Sequence, residues 1–192
     1  MRRVSGLLDP PVGDGDHAAG PVDAPLVLVM YGDFQCPYCI AAQRVLRSVR
    51  RRLGDRLRFV YRHFPIREAH PDAERAAQAA QAAAAQGRFW EMHDALYANA
   101  GRLDLDDIMR LARTLGLDTA RFAAELEAGT YAERVQQDLE SGLRSGVTGT
   151  PGFFTNGRLV EGAYDAASLV EALEASAGPA AARNPPRGSS EE

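Results

Sequence analysis

The chain has 192 residues, near the upper end of the usual size of one domain, so a single unit with room for an insertion is the starting expectation. Its composition, 45% apolar, 25% charged and 7% aromatic, is that of an ordinary globular protein and excludes a fibrous, mucin-like or wholly disordered chain. The formal charge of -4 leaves no global attraction to nucleic acid or anionic lipid, whose binders carry a basic surplus.

All 22 basic residues are Arg. No apolar stretch approaches the roughly 20 residues needed to span a bilayer, so no membrane span is expected. Arg2 and Arg3 are followed by Asp9, Pro10, Pro11, Asp14 and Asp16, where a signal peptide would place its apolar run. The chain as written is therefore expected to stay in the cytoplasm.

Residues 1–24 mix Pro, Gly and Asp without periodicity and predict an extended arm ending at Ala24-Pro25. The continuous apolar run Leu26 to Tyr31, closed by Gly32-Asp33, predicts a strand buried on both faces. From Pro37, apolar residues at Ala41, Ala42, Val45, Leu46, Val49 and Leu53 follow helical spacing up to a stop at Gly54. Arg44, Arg47 and Arg51 fall on the opposite face, which suits solvent and the helix C-terminal dipole, with an acidic partner as the alternative. Leu57 to Phe64 alternates as a second strand before Pro65, completing a βαβ unit.

A helical insertion is expected over about residues 68–146. Pro71, at a plausible first helical position, opens an Ala-rich run to Gln86-Gly87. Phe89, Trp90, His93, Leu96 and Tyr97 form an apolar stripe. Asp104 and Asp118 open further helices, and Thr130-x-x-Glu133 has the capping-box pattern for another. Thr150 to Thr155 and Arg158 to Glu161, separated by Asn156-Gly157, predict a hairpin with a type I′ turn. Asp165 caps a last helix, and residues 177–192 read as a disordered tail. The whole is an α/β fold over residues 25–176.

The two cysteines, Cys36 and Cys39, flank Pro37 and Tyr38 between the first strand and its helix. Pro suits the first helical position, which puts Cys36 at the cap, where unpaired N–H groups and the positive dipole end favour a thiolate. Cys39 lies one turn on, at a Cα separation of about 5 to 5.5 Å that a disulfide tolerates. Cys36 is then a nucleophile toward disulfides, and Cys39 the thiol that resolves the mixed disulfide. Half of a zinc site is the competing reading, but it needs two more ligands, and His17, His63, His70 and His93 are scattered. A purely structural disulfide would close too small a loop to stabilise much. No metal and no bound cofactor is called for.

Residues 20–173 resemble the DsbA-like branch of the thioredoxin superfamily, including short bacterial members, some of them fused behind sodium/proton antiporters. The resemblance rests on Tyr31 to Cys39 (YGDFQCPYC), Arg62-His63-Phe64-Pro65, Phe89-Trp90-Glu91-Met92-His93, and Gly146 to Pro151 (GVTGTP) followed by Asn156-Gly157. It implies a thioredoxin fold with a helical insertion between the βαβ unit and the C-terminal hairpin plus helix. It also implies that Pro151 is cis and faces the redox pair, so that Pro37, Tyr38, Thr150 and Pro151 contact substrate. The chain departs from the family at Met30, where a buried Glu is common, and at Gly152, where Thr is commoner. Met30 cannot titrate, which leaves Asp33 or water to take the proton of Cys39, and Gly152 is expected to loosen the substrate edge.

Among other side chains, His63 is expected to be a boundary histidine satisfied by backbone, His93 and the Phe89–Trp90 pair to be packing, and Tyr38 to be exposed at the rim. The expected function is a thiol-disulfide oxidoreductase acting on protein or small-molecule disulfides, possibly with glutathione. The alternatives are a glutathione-dependent isomerase or transferase of the same clan, in which the second cysteine is dispensable, and a non-enzymatic redox-sensing or interaction module.

Overall fold

The computed structural model describes residues 6–162 and 164–177; the expected tail from 178 onward lies outside them. The strands are β1 (His17–Ala19), β2 (Leu26–Gly32), β3 (Leu57–His63), β4 (Gly152–Thr155) and β5 (Arg158–Leu159). The helices are α1 (Pro37–Leu53), α2 (Ala73–Ala84), α3 (Phe89–Ala98), α4 (Leu105–Thr114), α5 (Thr119–Glu127), α6 (Ala132–Ser145) and α7 (Ala166–Ser176). The five-stranded sheet has the order β1-β3-β2-β4-β5. Among the described strands only β2 and β3 are parallel, joined through α1, and the other neighbours are antiparallel.

Strand periodicity sorts β2 into two faces. Leu26, Leu28 and Met30 point into the larger core with Cys36, Cys39, the apolar face of α1, and α7. Val29 and Tyr31 point into a smaller core with Val60, Phe64, Val147 and Phe154. Helix α1 buries Ala42, Leu46, Val49 and Leu53, and leaves Arg44, Arg47 and Arg51 exposed on the other side. Complete burial of a Leu or Val is worth roughly 1.5 to 3 kcal/mol, so this face alone fixes the helix on the sheet. The helix ends as expected at Gly54, whose φ of 51° suits glycine. Helix α6 crosses the opposite face so closely that a Cβ on Gly142 would lie 2.7 Å from Phe64 and 3.0 Å from Tyr31.

Three local expectations are corrected. The arm contains strand β1, which pairs with β3 through His17↔Tyr61 and Ala19↔Phe59. Its order comes from tertiary partners: His17 stacks on Phe89 at 3.6 Å, and Trp90 Nε1 donates to Ala18 O at 3.3 Å. Asp16 meets buried Arg62 at 2.7 Å, and Arg62 also donates to the carbonyls of Pro10 and Pro11 and to the Tyr31 hydroxyl. The same arm reaches the other side of the sheet, where Leu7 bridges Arg158 and Leu8 N donates to Gly157 O.

The Ala-rich helix begins at Ala73 with Asp72 at its cap, two residues after Pro71. The capping box at Thr130 does not form, and α6 starts at Ala132 after Tyr131. Thr130 is already used: its N–H closes the end of α5 on Glu125 O, with Gly129 in the left-handed region at φ 62°. By contrast, Asp104, Asp118 and Asp165 all accept hydrogen bonds from the first turn of their helices. The hairpin turn is also as expected, with Asn156 at φ 47° and Gly157 at φ 81°.

Candidate active site

Cys36 is the N-cap of α1, with extended backbone (φ -68°, ψ 121°) and Pro37 directly inside the helix. The loop before it is held by Asp33, which is buried at the end of β2. Asp33 Oδ1 accepts from Gln35 N at 2.8 Å, and Asp33 Oδ2 accepts from Ile66 N at 2.8 Å and meets His70 Nδ1 at 2.8 Å. Gln35 in turn exchanges two hydrogen bonds with Asp72. The Cys-containing loop is thus tied to the segment between β3 and α2. Sequence reasoning missed this network: the Asx-type turn from Asp33 to Gln35 has a local signal, whereas His70 and Asp72 lie 37 residues from their partners.

Cys36 and Cys39 are both free thiols. Cys36 keeps 3% exposure and Cys39 none, while Tyr38 between them is 67% exposed and Pro37 is exposed. The Thr150-Pro151 peptide bond is cis and the turn faces the pair, with Cys36 Sγ donating to Thr150 O at 3.3 Å. The Thr150 hydroxyl is buried with no well-formed partner among the described residues, and it stands against both sulfurs. The structure therefore gathers Cys36, Cys39, Thr150 and Pro151 at one place.

The two thiols have opposite electrostatics. The Cys36 thiol is lowered to about 5, first by the hydrogen bond from the Cys39 thiol, against the cost of burial, and then by Thr150 and the backbone N–H groups of Cys39 and Tyr38. The helix terminus thus acts as argued from sequence, but the neighbouring thiol is the larger influence. Burial pushes the Cys39 thiol far above the ordinary range, and the charge of Cys36 adds to the shift.

Met30 is completely buried in the apolar core that contains Cys39. At Gly152 a Cβ would stand 2.9 Å from Val147 Cγ1, so Val147 occupies the space a side chain would need. His63 departs from expectation as well. Its backbone N–H goes to Asp138 Oδ2, while both ring nitrogens are buried without a partner among the described residues, enclosed by Phe34, Tyr61 and Phe89. Burial holds its imidazole neutral, well below the ordinary range. His93 packs in the same aromatic cluster, with Nδ1 on Asp94.

Residues 27–174 match the family model of the DSBA-like thioredoxin domain, and the chain belongs to that family. Among solved structures, a thioredoxin-like oxidoreductase from Silicibacter pomeroyi superposes with a TM-score of 0.76 at 28% identity, over 88% of this chain and 95% of the other. BdbD from Bacillus subtilis superposes with a TM-score of 0.74 at 19% identity, over 91% and 94% of the two chains, a likeness of fold. Among curated relatives, a Na(+)/H(+) antiporter NhaA 1 from Mycolicibacterium vanbaalenii is 44% identical over 171 residues, which is 88% of this chain and 28% of the relative. NhaA 3 from Salinispora tropica is likewise 44% identical over 171 residues, 88% of this chain and 25% of the relative. The chain therefore spans about a quarter of the length of the antiporters it matches. No helix among the described residues is long and apolar enough to cross a membrane.

Proposed function

We propose that this protein is a thiol-disulfide oxidoreductase in which Cys36 is the attacking thiolate, Cys39 the resolving thiol and the Thr150-Pro151 turn the seat of the substrate backbone. The observation that carries the reading is the inequality of the two thiols. One is lowered to about 5 at a helix terminus beside the exposed Tyr38, and the other is fully buried and pushed upward.

The chemistry follows from that inequality. Cys36 attacks a disulfide sulfur and expels one substrate thiolate, leaving a mixed disulfide. Cys39 gives up its proton and attacks Cys36 Sγ; the Cys36–Cys39 bond forms, and the second substrate thiolate leaves with the electron pair. Two electrons pass from the cysteine pair to the substrate, and the reverse sequence oxidises a dithiol. Protein disulfides and small disulfides, including that of glutathione, are the substrate class. Reduction of insulin by an external dithiol tests it: the chain should accelerate precipitation of the insulin chains, Cys36→Ser should not, and equal rates with and without the protein would remove the proposal.

A second reading is favoured by the match to antiporter relatives. In it, the same pair reports redox state to an attached transporter without turning over substrate. Its signature is a dithiol that titrates against glutathione but leaves insulin unreduced.

A further inference from the structure

Resolution requires a thiolate on Cys39, a residue with no exposure at all. Its surroundings come from every element packed on it. Cys36 approaches from the start of α1, the Asp33 N–H from the end of β2 and Thr150 from the turn before β4; Tyr61 of β3 and Tyr97 of α3 share its buried cluster, Tyr164 before α7 packs against that cluster, and all three phenols feel its charge. The Asp33 carboxylate is spent on Gln35, Ile66 and His70. Met30, beside Tyr61 in the β2–β3 register, offers no hydrogen-bond donor.

The tyrosines are different. Tyr61 and Tyr97 are buried, and their hydroxyls share a 2.9 Å hydrogen bond. Two hydroxyls bonded to each other carry two O–H donors and use one, so one donor is left unspent among the described residues. Both oxygens press on Gly32, where a Cβ would lie 2.7 Å from each. The next peptide N–H along the chain, that of Asp33, bonds the Cys39 sulfur. One residue thus separates the hydroxyl pair from the resolving thiol.

We propose that the Tyr61–Tyr97 hydroxyl pair positions and stabilises the Cys39 thiolate as it forms, by donating its unspent O–H toward that sulfur. The pair acts as a donor and not as a base, because burial, and next to it the Cys39 charge for Tyr61 and the Tyr61 charge for Tyr97, hold both phenols well above their ordinary range. Tyr61 and Tyr97 are positioning residues for the second step of the exchange, and the first step at Cys36 does not use them. The inference rests on the exchange reading above.

The reduced full chain is mixed with dithio-bis-nitrobenzoate, an aromatic disulfide that releases one coloured thiolate when Cys36 attacks and a second when Cys39 resolves the adduct. Absence of a second release from the unaltered protein refutes the exchange reading itself. Given that release, Tyr97→Phe and Tyr61→Phe should slow the second phase on the order of tenfold near neutral pH, the worth of a hydrogen bond to a charged group. They should also move its pH midpoint upward and leave the first phase unchanged. A second phase with unaltered rate and pH profile in both variants overturns the proposal. Loss of the first phase in both variants also overturns it, since the pair would then be a structural element and nothing more.

Discussion

The Cys39 thiol is the largest single influence on the acidity of Cys36, exceeding Thr150 and the helix N–H groups. The resolving residue therefore activates the attacking one before any substrate arrives. Two variants separate the contributions. Cys39→Ala should raise the Cys36 pKa from about 5 toward the ordinary thiol range, and Thr150→Val, which removes the hydroxyl but keeps the volume, should raise it less. Iodoacetamide kinetics against pH measure both, and in the unaltered chain Cys36 should react first. An equal or larger shift in Thr150→Val would contradict the order of influences.

Linkage gives the pH dependence of the reduced form. The folded Cys36 pKa is depressed, so its thiolate contributes stability that is complete above the unfolded thiol pKa of roughly 8.5 and is lost as pH falls through about 5. The disulfide form has no such thiolate, so the gap in melting temperature between reduced and oxidised protein should shift toward the reduced form as pH rises across that window. The same preference should place the equilibrium potential on the oxidising side of thioredoxin, less negative than about -270 mV. Equilibration with glutathione at neutral pH measures it, and a value below that figure would refute the argument.

Asp16 and Arg62 form a buried pair on which the arm depends. Asp16→Asn leaves the Arg62 charge without its counter-ion and should cost about 3 to 5 kcal/mol, the usual penalty for breaking a buried pair. Urea denaturation would show the loss. Although burial of Asp16 acts the other way, its bond to Arg62 helps hold its pKa below the ordinary carboxylate value, so the pair's contribution should persist at neutral pH and fade only below the ordinary carboxylate range.

At the start of β4, Gly152→Ala should destabilise by about 1 to 3 kcal/mol through contact with Val147. Val147→Ala in the same chain should restore part of that loss, and a double-mutant cycle measures the coupling. Strict additivity of the two substitutions would show that the space is not shared.

What the sequence made legible is what local chemistry determines. The Pro37 start, the Gly54 stop, the Asp104, Asp118 and Asp165 caps and the Asn156-Gly157 turn each satisfy their own backbone groups within a few residues. The position of Cys36 at a cap followed from the same logic. Thr130 misled because a residue can serve only one helix end, and the preceding helix had the claim. Strand β1 was hidden because His17-Ala18-Ala19 carries no alternation, and its order comes from Phe89, Gln81, Trp90 and β3. The Asp33–His70 and Tyr61–Tyr97 contacts join residues 37 and 36 positions apart, a distance over which no periodicity speaks.

The arm that touches β3 at one rim of the sheet and Arg158 at the other has a colloidal consequence. Exposed strand edges carry unpaired N–H and C=O groups that template growth of β structure from one molecule to the next. Here a single segment, Leu7 to Ala19, occupies both rims, with Leu8 and Val12 packed against the smaller core on the way across. Loss of this one segment would unmask two sticky edges at once, so resistance to self-association is concentrated in the stretch of chain that looked least structured.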